Sequence, residues 1–224
     1  MKKMWMVSAL MLTVSSFPVW SADKKAADDN YSYALGYTLG KNIVQKFPGV
    51  DSNQFLQAMS DAVKNKKSKL TDEQIAQAFQ AHEEKKKNDL NTAAEKNAQR
   101  GKQFIENYKK QKGVQALSDG MYYKVLKSGK GTTPRADSTV EVHYEGTLID
   151  GSVFDSSYKR GQPISFPLNR VIKGWTIAVQ KMQPGDKWEV VIPAELAYGL
   201  NGAPGGRIGP NETLIFKIEL LKVL

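Results

Sequence analysis

An α+β protein built in two successive parts is predicted by three features of the sequence. Between Asn30 and Lys112 apolar residues recur at helical spacing, and glycine or proline falls mostly at breaks. After Gly113 the apolar period shortens to two, with turn dipeptides separating the runs. One short helical piece, Trp175 to Met182 opened by Gly174, lies within this second part. The expected architecture is an all-α N-terminal region, a long connecting helix, and a C-terminal antiparallel sheet with one short helix against it.

In chain order, Lys2 and Lys3 precede a short apolar stretch that ends in small residues up to Ala22. That order predicts a cleavable secretory signal over residues 1–21, with the cut after Ser21 or Ala22. Pro18 and the serines interrupt the stretch before it reaches the ~20 apolar residues of a membrane span. Residues 22–70 read as a helical region. Leu35, Leu39, Ile43 and Phe47 form one stripe, stopped by Pro48-Gly49. Asp51 is placed to cap a second helix in which Phe55, Met59 and Val63 recur at every fourth position. Thr71-x-x-Gln74 is a capping-box pattern, and no stop follows until Gly113. As one helix, residues 71–112 would reach about 63 Å. Their middle, Glu83 to Arg100, is almost wholly polar, the pattern of a helix that bridges solvent, with Gly101 the expected hinge; two helices broken near Asn88–Asn91 is the alternative. Two short helices make a small core, and Gly36-x-x-x-Gly40 allows close backbone approach, so a homodimer through residues 22–70 is expected.

Residues 114–224 carry the strand patterns Tyr122–Leu126, Thr139–Tyr144, Lys187–Ile192 and Thr213–Leu220. Ser128-Gly129, Asp150-Gly151, Pro184-Gly185 and Pro210-Asn211 supply the turns.

Composition narrows the chemistry. There is no cysteine, so disulfides, thiolate metal sites and cysteine nucleophiles are excluded. Only His82 and His143 offer imidazoles, and neither is placed as catalytic; no metal or cofactor is expected. The net charge of +9 sits mainly in residues 22–113, with 17 basic against 12 acidic side chains. It is not interleaved with aromatics as in single-strand binders, so nucleic acid is not an expected partner.

The stretch Val142-His-Tyr-Glu-Gly-Thr-Leu-x-Asp-Gly-x-x-Phe-Asp-Ser-Ser157 resembles the FKBP family of peptidyl-prolyl isomerases. So do Val171-Ile-Lys-Gly-Trp175, Met182-x-Pro-Gly-Asp186, Ala197-Tyr-Gly199 and Ile208–Phe216, in the family's order. Tyr33-Ala-Leu-Gly-x-x-Leu-Gly-Lys-Asn42 and the long helix resemble the secreted bacterial branch called macrophage infectivity potentiator. The resemblance implies a half-barrel sheet wrapped around the short helix, with an apolar pocket between them. Tyr144, Phe154, Val171, Ile172, Trp175, Ile208 and Phe216 would bind substrate there, with Trp175 as the floor under the proline ring. The Ile172 N–H and the Tyr198 hydroxyl would hold peptide carbonyls. Asp155 and Tyr198 would be the catalytic groups, with Arg160 supporting Asp155 and close to Tyr144. For Asp155 a purely structural pairing with Arg160 and Tyr144 is an open alternative. Ile164 stands where the best-known eukaryotic pattern has phenylalanine, and Ala203 where it has histidine.

The activity so implied needs neither nucleophile nor metal. A peptide bond resists rotation by ~18–20 kcal/mol because of its double-bond character, and X–Pro bonds interconvert over tens to hundreds of seconds. A pocket that favours the twisted amide accelerates this step. The implied substrates are proline-containing, unfolded or partly folded exported proteins, and the implied inhibitors are macrolides of the tacrolimus/rapamycin class. The expected location is the periplasm, with outer-membrane or surface association in view. The alternative function is a dimeric holdase-type chaperone in which two clefts grip one client.

Overall fold

The computed structural model describes residues 20–47 and 49–224. Residues 1–19 of the expected signal, and Pro48 of the expected helix stop, lie outside the described residues. The chain divides into two compact units, the first reaching Asp72 and the second running from Glu73 to Leu224.

The first unit holds two helices. The helix α1, Trp20–Lys46, begins ten residues earlier than the apolar stripe alone suggests, since Asp28, Asp29 and the alanines before them suit a helix without marking a face. It ends before Gly49, which takes φ +91. The helix α2, Ser52–Val63, is capped as its sequence predicts: the Asp51 carboxylate accepts from the Gln54 N–H at 2.9 Å. No residue of α2 is buried. Along α1, Tyr33, Leu35, Tyr37 and Leu39 are exposed, with Tyr33 and Tyr37 stacked at 6.2 Å.

The helix α3, Asp72–Tyr108, is continuous through Asn88–Asn91, so the two-helix alternative is not what forms. Nor does Gly101 act as a hinge. It is buried, and a Cβ there would lie 2.2 Å from Thr213 Oγ1, so the glycine serves a close approach of the helix to the segment before the last strand, Leu214–Val223. Ala94, Asn97, Gly101 and Tyr108 share one buried face, which corrects the reading of this stretch as a purely solvated bridge. The polar surroundings concealed it, because the face is made of small and amide side chains rather than a leucine stripe.

Seven antiparallel strands form one sheet: β1 Val114–Ala116, β2 Tyr122–Lys127, β3 Thr139–Leu148, β4 Val153–Ser156, β5 Ile164–Pro167, β6 Lys187–Ile192 and β7 Leu214–Val223. The order is β1-β2-β6-β7-β3-β4, and β5 also pairs with β3. β4 and β5 follow one another along the same edge of β3, opposite residues 145–147 and 139–142 respectively. These two strands and β1 are absent from the sequence prediction. Each has three or four residues, too few for a period to show, and each is a strand because a longer partner pairs it.

Alternation along the central strands builds the core. Val140, Val142 and Tyr144 of β3, Trp188, Val190 and Ile192 of β6, and Leu214, Phe216, Ile218 and Leu220 of β7 are buried in one cluster. The helix α4, Lys173–Val179, fills the concave side with Trp175, Ala178 and Val179. It can press this close because Gly174 faces Ile192; a Cβ at 174 would lie 2.4 Å from Ile192 Cγ2. Val191 alternates with these inward residues and so belongs to the outer face, yet it is fully buried. The last turns of α3 reach that face, where the Tyr108 hydroxyl donates to Glu189 at 3.0 Å. Burial, then the Glu189 charge and hydrogen bond, push the Tyr108 phenol far above its ordinary value.

Candidate active site

Five elements, β3, β4, β5, α4 and β7, converge on an aromatic cage. Trp175, on the first turn of α4, is buried and meets three rings edge-on: Tyr144 at 5.3 Å, Phe166 at 5.4 Å and Phe216 at 5.2 Å. Phe154 adds a T-shaped contact to Phe216 at 5.5 Å. Such edge-to-face pairs contribute ~0.5–1.5 kcal/mol each beyond their buried area, enough to fix ring orientations in an otherwise apolar site. Gly146 permits the arrangement. A side chain there would meet Phe154 at 2.5 Å and Phe216 at 2.8 Å, so glycine lets both rings lie against β3. The register irregularity between Gly146 and Thr147 falls at the same point of the β3–β4 pairing.

Beside the cage stands a polar triad. The Tyr144 hydroxyl donates to Asp155, Arg160 donates to the other oxygen of the same carboxylate, and Arg160 Nη2 also donates to the Tyr144 oxygen at 2.9 Å. The guanidinium lies 5.5 Å from the centre of the Tyr144 ring. Burial works against ionisation of Asp155, but the hydrogen bonds from Tyr144 and Arg160 and the guanidinium charge outweigh it, holding the carboxyl below its usual range. Burial, followed by the Asp155 hydrogen bond, raises the Tyr144 phenol. The site therefore presents a fixed carboxylate and a neutral phenol over a wide pH range.

The other sequence-predicted residues take distinct places. Val171 and Ile172 are half-buried against the core at the entrance to α4, and the Trp175 N–H bonds back to the Ile172 carbonyl at 3.0 Å. Among the described residues no backbone partner takes the Ile172 N–H. Ile208 is buried, and its carbonyl accepts from the Ala203 N–H at 3.0 Å, closing the 203–208 loop. Arg207 Nη1 reaches the Phe154 carbonyl at 3.3 Å. Tyr198 is 39% exposed, and among the described residues its hydroxyl makes no hydrogen bond and its ring no aromatic contact. Phe166 is a member of the cage that sequence reasoning missed; the motif Ile164-Ser-Phe166 offered a signal, since Phe166 lies two residues beyond the non-aromatic Ile164 on the same face of β5. His143 stacks on Tyr158 at 4.6 Å and contacts Ser157, on the outward side of β3 away from the cage. No cluster of three or more metal-capable side chains occurs among the described residues.

Comparison with known proteins gives the chain its class. Residues 130–221 match the family model of the FKBP-type peptidyl-prolyl cis-trans isomerase, and residues 28–125 match that of the domain amino terminal to it. The chain belongs to the FKBP-type peptidyl-prolyl cis-trans isomerases. Within them it falls with the Mip and FkpA proteins. It is 43% identical over 203 residues to the peptidyl-prolyl cis-trans isomerase Mip of Coxiella burnetii, covering 89% of this chain and 88% of that protein. It is also 43% identical over 221 residues to FkpA of Escherichia coli K12, covering 92% of this chain and 81% of the relative. The crystal structure of Escherichia coli FkpA superposes with a TM-score of 0.63, covering 88% of this chain and 96% of that one.

Proposed function

We propose that the cage of Tyr144, Phe154, Phe166, Trp175 and Phe216 is where the X–Pro bond turns, with the proline ring on Trp175. A planar amide is more polar than a twisted one, because conjugation places charge on its oxygen. An apolar enclosure therefore raises the planar form relative to the twisted form, and only contacts that strengthen in the twisted state accelerate rotation. The Asp155 carboxylate, hydrogen-bonded by Tyr144 and Arg160, orients the Tyr144 edge of the cage. The Ile172 N–H, which has no backbone partner among the described residues, and the Tyr198 hydroxyl hold the carbonyls of the flanking peptide. Val171 and Ile208 line the walls. The single observation that carries this reading is the four-ring contact set centred on a buried Trp175. A macrolide of the tacrolimus/rapamycin class would occupy the same cage.

Protease-coupled isomerisation of a short proline peptide tests it. Trp175→Leu and Asp155→Ala should each lower kcat/KM, and a macrolide should inhibit the unmodified protein. Full activity in both variants would place catalysis elsewhere.

The substrates we infer are exported proteins during folding, in the periplasm or at the outer membrane. The signal-like order of residues 1–21 supports this, as does 41% identity to a protein named outer membrane protein MIP in Legionella longbeachae. We further infer a homodimer through residues 22–70. Leu35, Leu39, Leu56 and Met59 are exposed in the isolated chain, and covering a side chain of this kind contributes about 1.5–3 kcal/mol.

A further inference from the structure

We propose that Asn97 and Asn211 form a latch by which α3 positions the rim of the isomerase pocket. Each asparagine reaches a backbone carbonyl near the other, one residue before Asn211 and three before Asn97. Asn97 Nδ2 donates to the Pro210 carbonyl at 2.9 Å, and Asn211 Nδ2 donates to the Ala94 carbonyl at 3.4 Å. Asn97 is buried, so its hydrogen bond forms out of water, where an unmade partner is costly. Asn211 has φ 53, a left-handed conformation that aims its side chain at the helix while its own N–H donates to the Gly199 carbonyl at 2.8 Å. Gly199 follows Tyr198 directly. At the other end of the same loop, Ile208 is joined to Ala203. One loop residue thus holds the helix with its side chain and the Tyr198 segment with its backbone.

The consequence is mechanical. A shift of α3 against residues 209–213 is transmitted to Gly199 through one bond and to Ile208 through two residues of chain. One helical turn further along, Gly101 packs closely on Thr213, where an added Cβ would lie 2.2 Å from Oγ1. Asn97 and Asn211 touch no substrate; they are positioning residues. Their effect on turnover rests on the assignment of Tyr198 and Ile208 to the pocket, whereas their effect on the position of Gly199 does not.

The test uses the full chain. Asn211→Gly keeps the left-handed backbone and the N–H to Gly199 while removing the side-chain arm. Asn97→Ala removes the other arm, and Asn97→Asp keeps its shape while replacing the donor by an acceptor at neutral pH. Amide chemical shifts of Gly199 and Ile208 are read beside that of Val125 on β2 as a remote control, together with kcat and KM for a short proline peptide. The expected result is movement of the Gly199 and Ile208 amides with Val125 unchanged, and a fall in kcat/KM of about three- to five-fold, the size of one lost hydrogen bond. In Asn97→Asp the defect should lessen as pH falls and the carboxyl regains a proton to donate. Lowered thermal stability with unmoved amides would overturn the latch. Moved amides with unchanged kcat and KM would overturn its role in turnover. If Tyr198→Phe is also without effect on turnover, the failure belongs to the pocket assignment, and the amide shifts still decide the latch.

Discussion

The helical unit and the sheet unit use their apolar residues in opposite ways. In the sheet unit, alternation on β3, β6 and β7 delivers large side chains to one interior, and Val140, Val142, Val190, Leu214, Ile218 and Leu220 are fully buried. In the helical unit the stripes are as regular, yet α2 buries nothing and Leu35, Leu39, Leu56 and Met59 face outward. A single helix pair has too little surface to enclose its own stripe, whereas a curved sheet with a helix in its hollow encloses a volume. Periodicity therefore tells which face a residue lies on, and the number of layers decides whether that face is covered.

The largest way to break this contrast is to remove the centre of the enclosed volume. Trp175→Ala should destabilise the sheet unit by about 3–5 kcal/mol, measured by urea unfolding, because a buried tryptophan leaves a cavity its T-shaped neighbours cannot fill. The matching change in the helical unit is Leu39→Glu with Leu56→Glu. It should halve the mass seen in sedimentation at micromolar concentration while leaving short-peptide turnover unchanged; a chain that is already monomeric without these substitutions would refute the dimer.

A smaller effect sharpens the packing inside the second unit, where α3 meets the segment before β7. Gly101→Ala would raise stability by about 1 kcal/mol if α3 were solvated there. Against Thr213 it should instead cost about 1–3 kcal/mol through overpacking, and Thr213→Ala in the same chain should recover most of the loss in thermal unfolding.

The smallest effect is electrostatic. Asp155 titrates lower in the folded chain than its ordinary value of about 3.9. Between those two values the unfolded chain binds more protons, so stability from this carboxylate is present above about pH 4 and is lost as pH falls through the depressed value. Urea unfolding from about pH 6 downward should show a shallower acid limb in Asp155→Asn than in the unmodified protein. The difference is modest, because the pair is partly open to solvent.

Much of the cage is legible in the amino-acid sequence. Tyr144, Phe154, Trp175 and Phe216 stand in the motifs that carry the FKBP resemblance, which implies a shared pocket, and the fold brings them together. Phe166 is not legible in that way, since it lies on a four-residue strand with no period of its own and joins the cage only through the β3–β5 register. The docking face of α3 is hidden for a different reason. Hydropathy registers leucine and valine, but this contact is made by Ala94, Asn97 and Gly101, where small size and an amide matter more than apolarity.

The sequence by itself determined the elements whose signals are local. The Asp51 cap, the alternation of β3, β6 and β7, and the turn at Pro184-Gly185, where Gly185 takes φ +90, depend on neighbours within a few residues. Tertiary structure alone decided that β4 and β5 are strands, that Gly101 is a seat rather than a hinge, and that Asn97 closes on Pro210, 113 residues away. Those outcomes depend on which surfaces meet, and short-range propensity does not encode the distance between residues far apart in the chain.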